Sequence, residues 1–165
     1  MNTTIIRDAS AADLPAMSAI YNYYVLHSTC TYQIEPETLA DRQTWFTSHS
    51  PDKYPVVVVE LDGQVVGWGS LSKFHARAGY APTAEASVYV AHKFHRRGLG
   101  RMILENLIER ARIARFHTLI GGASADQSAS IALQESLGFT RVAHFKEVGQ
   151  KFGQRLDVVY LQLML

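Results

Sequence analysis

The sequence predicts a single α/β domain built on a mixed sheet with helices on both faces. Three observations carry that prediction. Strand-length apolar or alternating runs recur along the chain, helical-period runs lie between them, and the second half reads strand, helix, strand, helix, strand, strand. No linker, repeat or low-complexity stretch divides the chain. Its 165 residues, 47% hydrophobic and 19% charged, suffice for one sizeable core without a second domain.

Each element follows from local chemistry. Thr3 to Arg7 reads as a short strand, and Asp8-Ala-Ser-Ala-Ala-Asp13 supplies caps for a helix with Pro15 near its start and Leu14, Met17, Ile20, Tyr21 and Tyr24 on one stripe. Tyr21, Tyr23 and Tyr24 crowd the end of that helix, and core or dimer packing is favoured there over substrate contact. Leu39 to Ser48 is a second helix with Trp45 and Phe46 as its buried face. Pro55 to Glu60 and Gln64 to Leu71 form a central hairpin, since Asp62-Gly63 supplies the positive φ that a tight turn requires. Ser72 to Thr83 is a loop carrying Lys73, His75, Arg77 and Tyr80. Glu85, Ser87 and Tyr89 then alternate with Ala86, Val88 and Val90, as expected of a strand with one polar face. Leu99, Ile103, Leu104, Leu107, Ile108, Ala111 and Ala114 recur at three and four, predicting a helix packed on a sheet. Phe116 to Ala123 is a buried strand, followed by caps in Ser124 to Ser128, a helix to about Leu137 and a closing Gly138. Thr140 to Glu147 and Leu156 to Leu163 are the last strands, around a loop at Gly149 to Gly153.

Composition excludes several classes. Sixteen basic against fifteen acidic residues leave a net charge of +1, which gives no electrostatic support for nucleic-acid or membrane-surface binding. One cysteine, Cys30, cannot form an internal disulfide and suits a reducing compartment, where it is expected as a packing residue. No run reaches membrane-span length, and Met1-Asn2-Thr3-Thr4 lacks the regions of a secretion signal, so a cytoplasmic location is expected. His92 and His95 have no Cys or carboxylate to complete a metal set, and no metal is expected. Lys73, Lys146 and Lys151 are expected in solvent.

Residues 85–114 carry the chemistry. The strand runs into His95-Arg96-Arg97-Gly98-Leu99-Gly100-Arg101, where glycines let the backbone approach a ligand and the helix that follows offers unpaired N–H groups and a positive dipole end to an anion. It is neither a Walker loop nor a dinucleotide fingerprint, because no Gly-Lys-Ser/Thr follows and the Gly-x-Gly-x-x-Gly order is missing. Taken alone, such a turn is equally a chain reversal with solvated arginines.

The segment resembles the signature of the GNAT superfamily of N-acetyltransferases, Arg/Gln-x-x-Gly-x-Gly/Ala, with His95 in the first place. Ser87-Val-Tyr-Val90, Ser130 to Phe139, Val148 to Gly153 with Leu156-Asp157, Ala19 to Asn22 and Ala40 to Phe46 look like the subgroup that acetylates phosphinothricin, methionine sulfoximine and methionine sulfone. The resemblance implies a single-domain acyl-CoA N-acyltransferase fold, a mostly antiparallel sheet with a splayed central strand, acetyl-CoA as co-substrate and a homodimer. It implies cofactor contacts at Val88, Tyr89, Val90, His95, Arg96, Arg97, Gly98, Leu99, Gly100, Arg101, Gln127 and Ser130, where Gln127 replaces an asparagine of relatives. Gln134 stands where relatives place a tyrosine or histidine acid, and a glutamine cannot supply a proton.

The chemistry sets further demands. An amine of pKa 9 to 10 is neutral in only about one molecule in several hundred at pH 7, so attack on a thioester needs a proton acceptor. Glu85 is the candidate base, acting after burial raises its pKa or through a water; otherwise it is a strand-end carboxylate paired with Arg77 or Lys73. The thioester oxygen gains charge during attack, and the resemblance assigns main-chain amides of Val88, Tyr89 and Val90 to it. Substrate contacts are expected from Glu85, Ser87, His75 and Arg77, the last offering a guanidinium for a carboxylate. The expected activity is acetylation of the α-amine of a small amino-acid-like compound in a ternary complex. Another small amine, a peptide N-terminus, a non-catalytic acyl-CoA sensor and a nucleotide-binding module are the rivals.

Overall fold

The structure, a computed structural model, describes residues 3–165; Met1 and Asn2, used above in reading the chain's start, lie outside the described residues. Seven strands, β1 (Thr4–Asp8), β2 (Val56–Leu61), β3 (Gln64–Lys73), β4 (Thr83–Val90), β5 (Thr118–Ser124), β6 (Thr140–Lys151) and β7 (Gln154–Met164), form one sheet in the order β1-β2-β3-β4-β5-β7-β6. Only β4 and β5 run parallel. Helices α1 (Leu14–His27) and α2 (Leu39–Thr47) cover one face, and α3 (Leu99–Ile113) and α4 (Ser128–Ser136) the other. The expected mixed, mostly antiparallel sheet with helices on both faces is what folds. Among the described residues no helix is long and apolar enough to cross a membrane.

The unbroken apolar run of β2 is explained by its two covered faces. Val57 and Val59 pack with Ile103, Leu104 and Leu107 of α3, while Val56 and Val58 pack with Leu14, Met17 and Ile20 of α1. Alternation along β4 sorts in the same way: Ala84, Ala86, Val88 and Val90 join the α3 core and Tyr89 joins the α1 core. Full burial of each such aliphatic side chain contributes about 1.5–3 kcal/mol before entropy is counted, so these two clusters hold the layers together.

Several expectations change. In α2 the buried residue is Arg42, not the partly buried Trp45 and Phe46. Its guanidinium meets Glu37 at 2.6 and 2.8 Å and lies over the rings of Tyr21, Trp45 and Trp68, a paired and stacked charge that local helix patterning does not reveal. Lys151 is buried rather than solvated, its ammonium donating to the carbonyls of Ser28 and Thr31 at 2.7 Å each. Gly149 to Gly153 is not a loop. β6 continues through it by way of a bulge between Phe145 and Gly149, and the hairpin turns on Phe152 and Gly153 alone, both at positive φ.

Candidate active site

The parallel pairing of β4 with β5 stops at Glu85, which sits opposite Ile120; beyond it β4 stays with β3 while β5 stays with β7. The sheet therefore opens. A cavity of about 770 Å³ fills the opening, with Glu85 and Ser87 toward one end and Arg96, Gly98, Leu99, Gly100 and Arg101 at the other.

The splay frees main-chain groups. Ala91 N–H bonds to the Val66 carbonyl at 2.8 Å, and amides alternate sides along a strand, so Tyr89 N–H also faces β3 while those of Val88 and Val90 face the opening. Of the three amides expected to be free, two point into the cavity. The Val90 carbonyl accepts from the Tyr24 hydroxyl, whose oxygen lies 2.6 Å from His95 Nε2. His95 lines the cavity, and its ring nitrogen is engaged at the end of β4.

At the other end Gly98 is the N-cap of α3 with φ of 77°, a left-handed conformation that glycine adopts at little cost. No side chain caps this helix. Its first intrahelical bond runs from Met102 N–H to Gly98 O, leaving the amides of Leu99, Gly100 and Arg101 without helical partners. These amides and the positive end of the helix dipole lie at the same end of the cavity as Arg96, an arrangement whose electrostatics favour an anion. Gln127 and Ser130 line the opposite wall, Gln127 donating to Thr29 Oγ1 at 2.8 Å. Arg97 does not line the cavity; it lies over the Phe94 ring. Arg101 lines it while bonded to Glu105 at 2.8 Å.

Glu85 is half-buried, and burial alone pushes its carboxyl above the ordinary range. Among the described residues it has no hydrogen-bond or ion-pair partner, and neither Arg77 nor Lys73 pairs with it. His75 and Arg77 sit exposed in the loop before β4, where the Arg77 amide donates to His75 Nδ1 at 3.2 Å; they lie outside the cavity lining. Burial first, then the charge of Glu85, raises the Tyr160 phenol on β7.

Local sequence patterns missed much of the wall. Tyr24, Cys30, Thr31, Tyr32 and Tyr160 line it, brought from segments distant along the chain, and Tyr32 is fixed by its hydroxyl donating to Ser124 Oγ at 2.9 Å. The Cys30 thiol is raised by burial. Ser70, directly opposite Ser87, is 1% exposed with a hydroxyl that has no partner. Gln134 is buried against Gly121, where a Cβ would stand 1.9 Å from its Oε1, and that oxygen also lacks a donor. Of these two unpaired groups Gln134 lines the cavity, while Ser70 lies opposite Ser87 and outside the lining. Among the described residues no three His, Cys, Asp or Glu side chains converge as a metal set would.

Comparison with known proteins agrees with this geometry. Residues 6–160 match the model of the acetyltransferase (GNAT) domain family. An L-methionine sulfoximine/L-methionine sulfone acetyltransferase of Pseudomonas paraeruginosa is 40% identical over 161 residues, 97% of this chain and 94% of its own. A ribosomal-protein-alanine N-acetyltransferase from Brucella melitensis superposes with a TM-score of 0.95 at 42% identity, over 98% of this chain and 99% of its own. A phosphinothricin acetyltransferase from Sinorhizobium meliloti, solved in complex with acetyl-CoA, does so with a TM-score of 0.95 at 32% identity, over 99% and 89%.

Proposed function

The chain belongs to the GNAT acetyltransferase family and is an acetyl-CoA-dependent N-acetyltransferase; from that premise we propose that it acetylates the α-amine of a small amino-acid-like substrate by direct attack in a ternary complex. The observation that carries the reading is the unpartnered, desolvated Glu85 carboxylate at the edge of the sheet's opening. Acetyl-CoA supplies the activated acyl group. Leu99, Gly100 and Arg101 amides with Arg96 would hold its diphosphate, and the wall at Gln127, Ser130 and Gln134 would flank its chain. Val88 and Val90 amides would stabilise charge growing on the acyl oxygen. Glu85 would take the amine's proton, its raised pKa bringing it closer to that task than an exposed glutamate.

Ser87, which lines the cavity on the face shared with Glu85, would bind a polar group of the substrate. Arg77 or His75, exposed outside the cavity lining in the loop that leads into β4, would have to swing toward Glu85 to hold the substrate's carboxylate. The similarity to a ribosomal-protein-alanine N-acetyltransferase supports a second reading, a peptide N-terminus. A non-catalytic sensor would have no use for a desolvated, unpaired carboxylate.

A homodimer in the cytoplasm completes the proposal. Of Tyr23, Tyr24 and the terminal Leu161-Gln-Leu-Met-Leu165, which the sequence also offers for the self-contact, Tyr24 and Leu161 are core residues and Met164 is exposed. The exposed Val142, Phe145, Val148 and Phe152 on the edge strand β6 and its turn suit it instead. Thiol release measured across methionine sulfone, methionine sulfoximine, phosphinothricin, polyamines and an Ala-initiated peptide tests the substrate class. We expect the first three to turn over fastest and Glu85→Gln to lose at least about 100-fold. Fastest turnover of the peptide would transfer the assignment to the second reading, and full activity of Glu85→Gln would remove the base.

A further inference from the structure

Glu85 must discard the proton it takes before the next turnover, and the side chains behind it form a route. Ser72 is the Cα partner of Glu85 across β3 and β4. Directly opposed residues of an antiparallel pair share a face with Cβ atoms about 4.5–5.5 Å apart, so one rotamer change or one water joins carboxyl and hydroxyl. Ser72 Oγ lies 2.9 Å from His49 Nε2. His49 Nδ1 lies 2.8 Å from the Trp45 carbonyl, which only accepts, so Nδ1 carries the hydrogen and Nε2 in the neutral ring is an acceptor for Ser72. The ring is held against Trp45 at 4.1 Å between centroids, yet the residue is only half-buried and keeps contact with solvent.

We propose that Ser72 and His49 form a proton exit for Glu85, a role that rests on Glu85 being the base. The substrate's ammonium gives a proton to the Glu85 carboxylate. Glu85 returns it to Ser72 Oγ as the Ser72 hydroxyl proton passes to His49 Nε2, and the imidazolium gives this Nε2 proton to water, keeping the Nδ1 hydrogen on the Trp45 carbonyl. The carboxylate, hydroxyl and neutral imidazole are thereby restored, and one proton has moved from amine to solvent. Burial first, opposed by the Trp45 carbonyl and reinforced by the Arg42 charge, keeps the His49 pKa below its ordinary value, so the ring is neutral near pH 7. The charged groups facing it are Arg42, neutralised by Glu37, and Glu85 through Ser72. Ser72 and His49 act through Glu85 and are positioning residues.

The test is steady-state kinetics of His49→Ala, Ser72→Ala and Ser72→Thr, alongside Glu85→Gln, from pH 5.5 to 9. We expect His49→Ala and Ser72→Ala to lower kcat roughly tenfold with KM for both substrates unchanged, less than loss of a direct base because water is a substitute acceptor. His49→Ala should lose one ionisation from the acid limb and recover turnover with added imidazole, and Ser72→Thr, which keeps the hydroxyl, should match wild type. If His49→Ala and Ser72→Ala keep the wild-type kcat and pH profile while Glu85→Gln is inactive, the exit is overturned and the base stands. Full activity of Glu85→Gln overturns both.

Discussion

At the scale of single residues, Glu85 shows how function is set against stability. Its folded pKa is raised, so between the ordinary glutamate pKa of about 4.3 and the raised value the folded state binds more protons than the unfolded one. Stability falls as pH rises through that window. Glu85→Gln carries no such loss, and we expect its Tm to match wild type near pH 4 and to exceed it at pH 7. Calorimetry at the two pH values measures this, and an equal or lower Tm at pH 7 would contradict a desolvated carboxylate. Glu85 was legible as a candidate base because it stands on the polar face of a strand just ahead of the basic glycine turn, where the family resemblance expects a carboxylate. Ser70, Ser72 and His49 were not legible, because their significance comes from cross-strand register and from a ring arriving from the end of α2. His95 was visible as a departure from the family signature, but its engagement by Tyr24 depends on how α1 crosses β4.

The strand, turn and helix at 83–113 form the element on which the site rests, and local rules went furthest here. A double glycine ahead of a helical stripe dictates a helix start without a side-chain cap, which is what α3 has. The direction of Arg97 was not legible, because spacing gives the number of arginines near a turn and not where they point; its guanidinium lies over the Phe94 ring. Gly98→Ala isolates the backbone contribution. An added Cβ meets nothing within 4 Å, while φ of 77° costs an L-residue about 1–2 kcal/mol. We expect Tm to fall by roughly 2–4 °C per kcal/mol and KM for acetyl-CoA to rise with little change in KM for the amine. A larger effect on the amine would place this turn at the wrong end of the cavity. The hairpin β6–β7 was misjudged for a related reason: Gly149 and Gly153 read alike, yet one lies in an extended strand and the other in a two-residue turn.

For the whole molecule, class and layering were legible and topology was not. Periodicity cannot tell that β7 inserts between β5 and β6, or that the parallel pairing of β4 with β5 lasts three residues before opening. That short pairing is what makes room for a cavity, and its further wall comes from Cys30, Thr31 and Tyr32, about a hundred positions before Ser130. The edge strand β6 leaves apolar side chains outside. Phe145→Glu with Val148→Lys should convert a dimer to a monomer in sedimentation while leaving the fold intact, and a wild type that sediments as a monomer would refute that surface. The claim at the centre is that the opening between β4 and β5 is the acetyl-transfer site. Amide chemical shifts followed during titration with acetyl-CoA test it most directly. The amides of Val88, Val90, Leu99, Gly100 and Arg101 should move together and saturate. Unmoved signals there, with shifts instead around the second cavity at Pro51, Asn106 and Arg110, would contradict it.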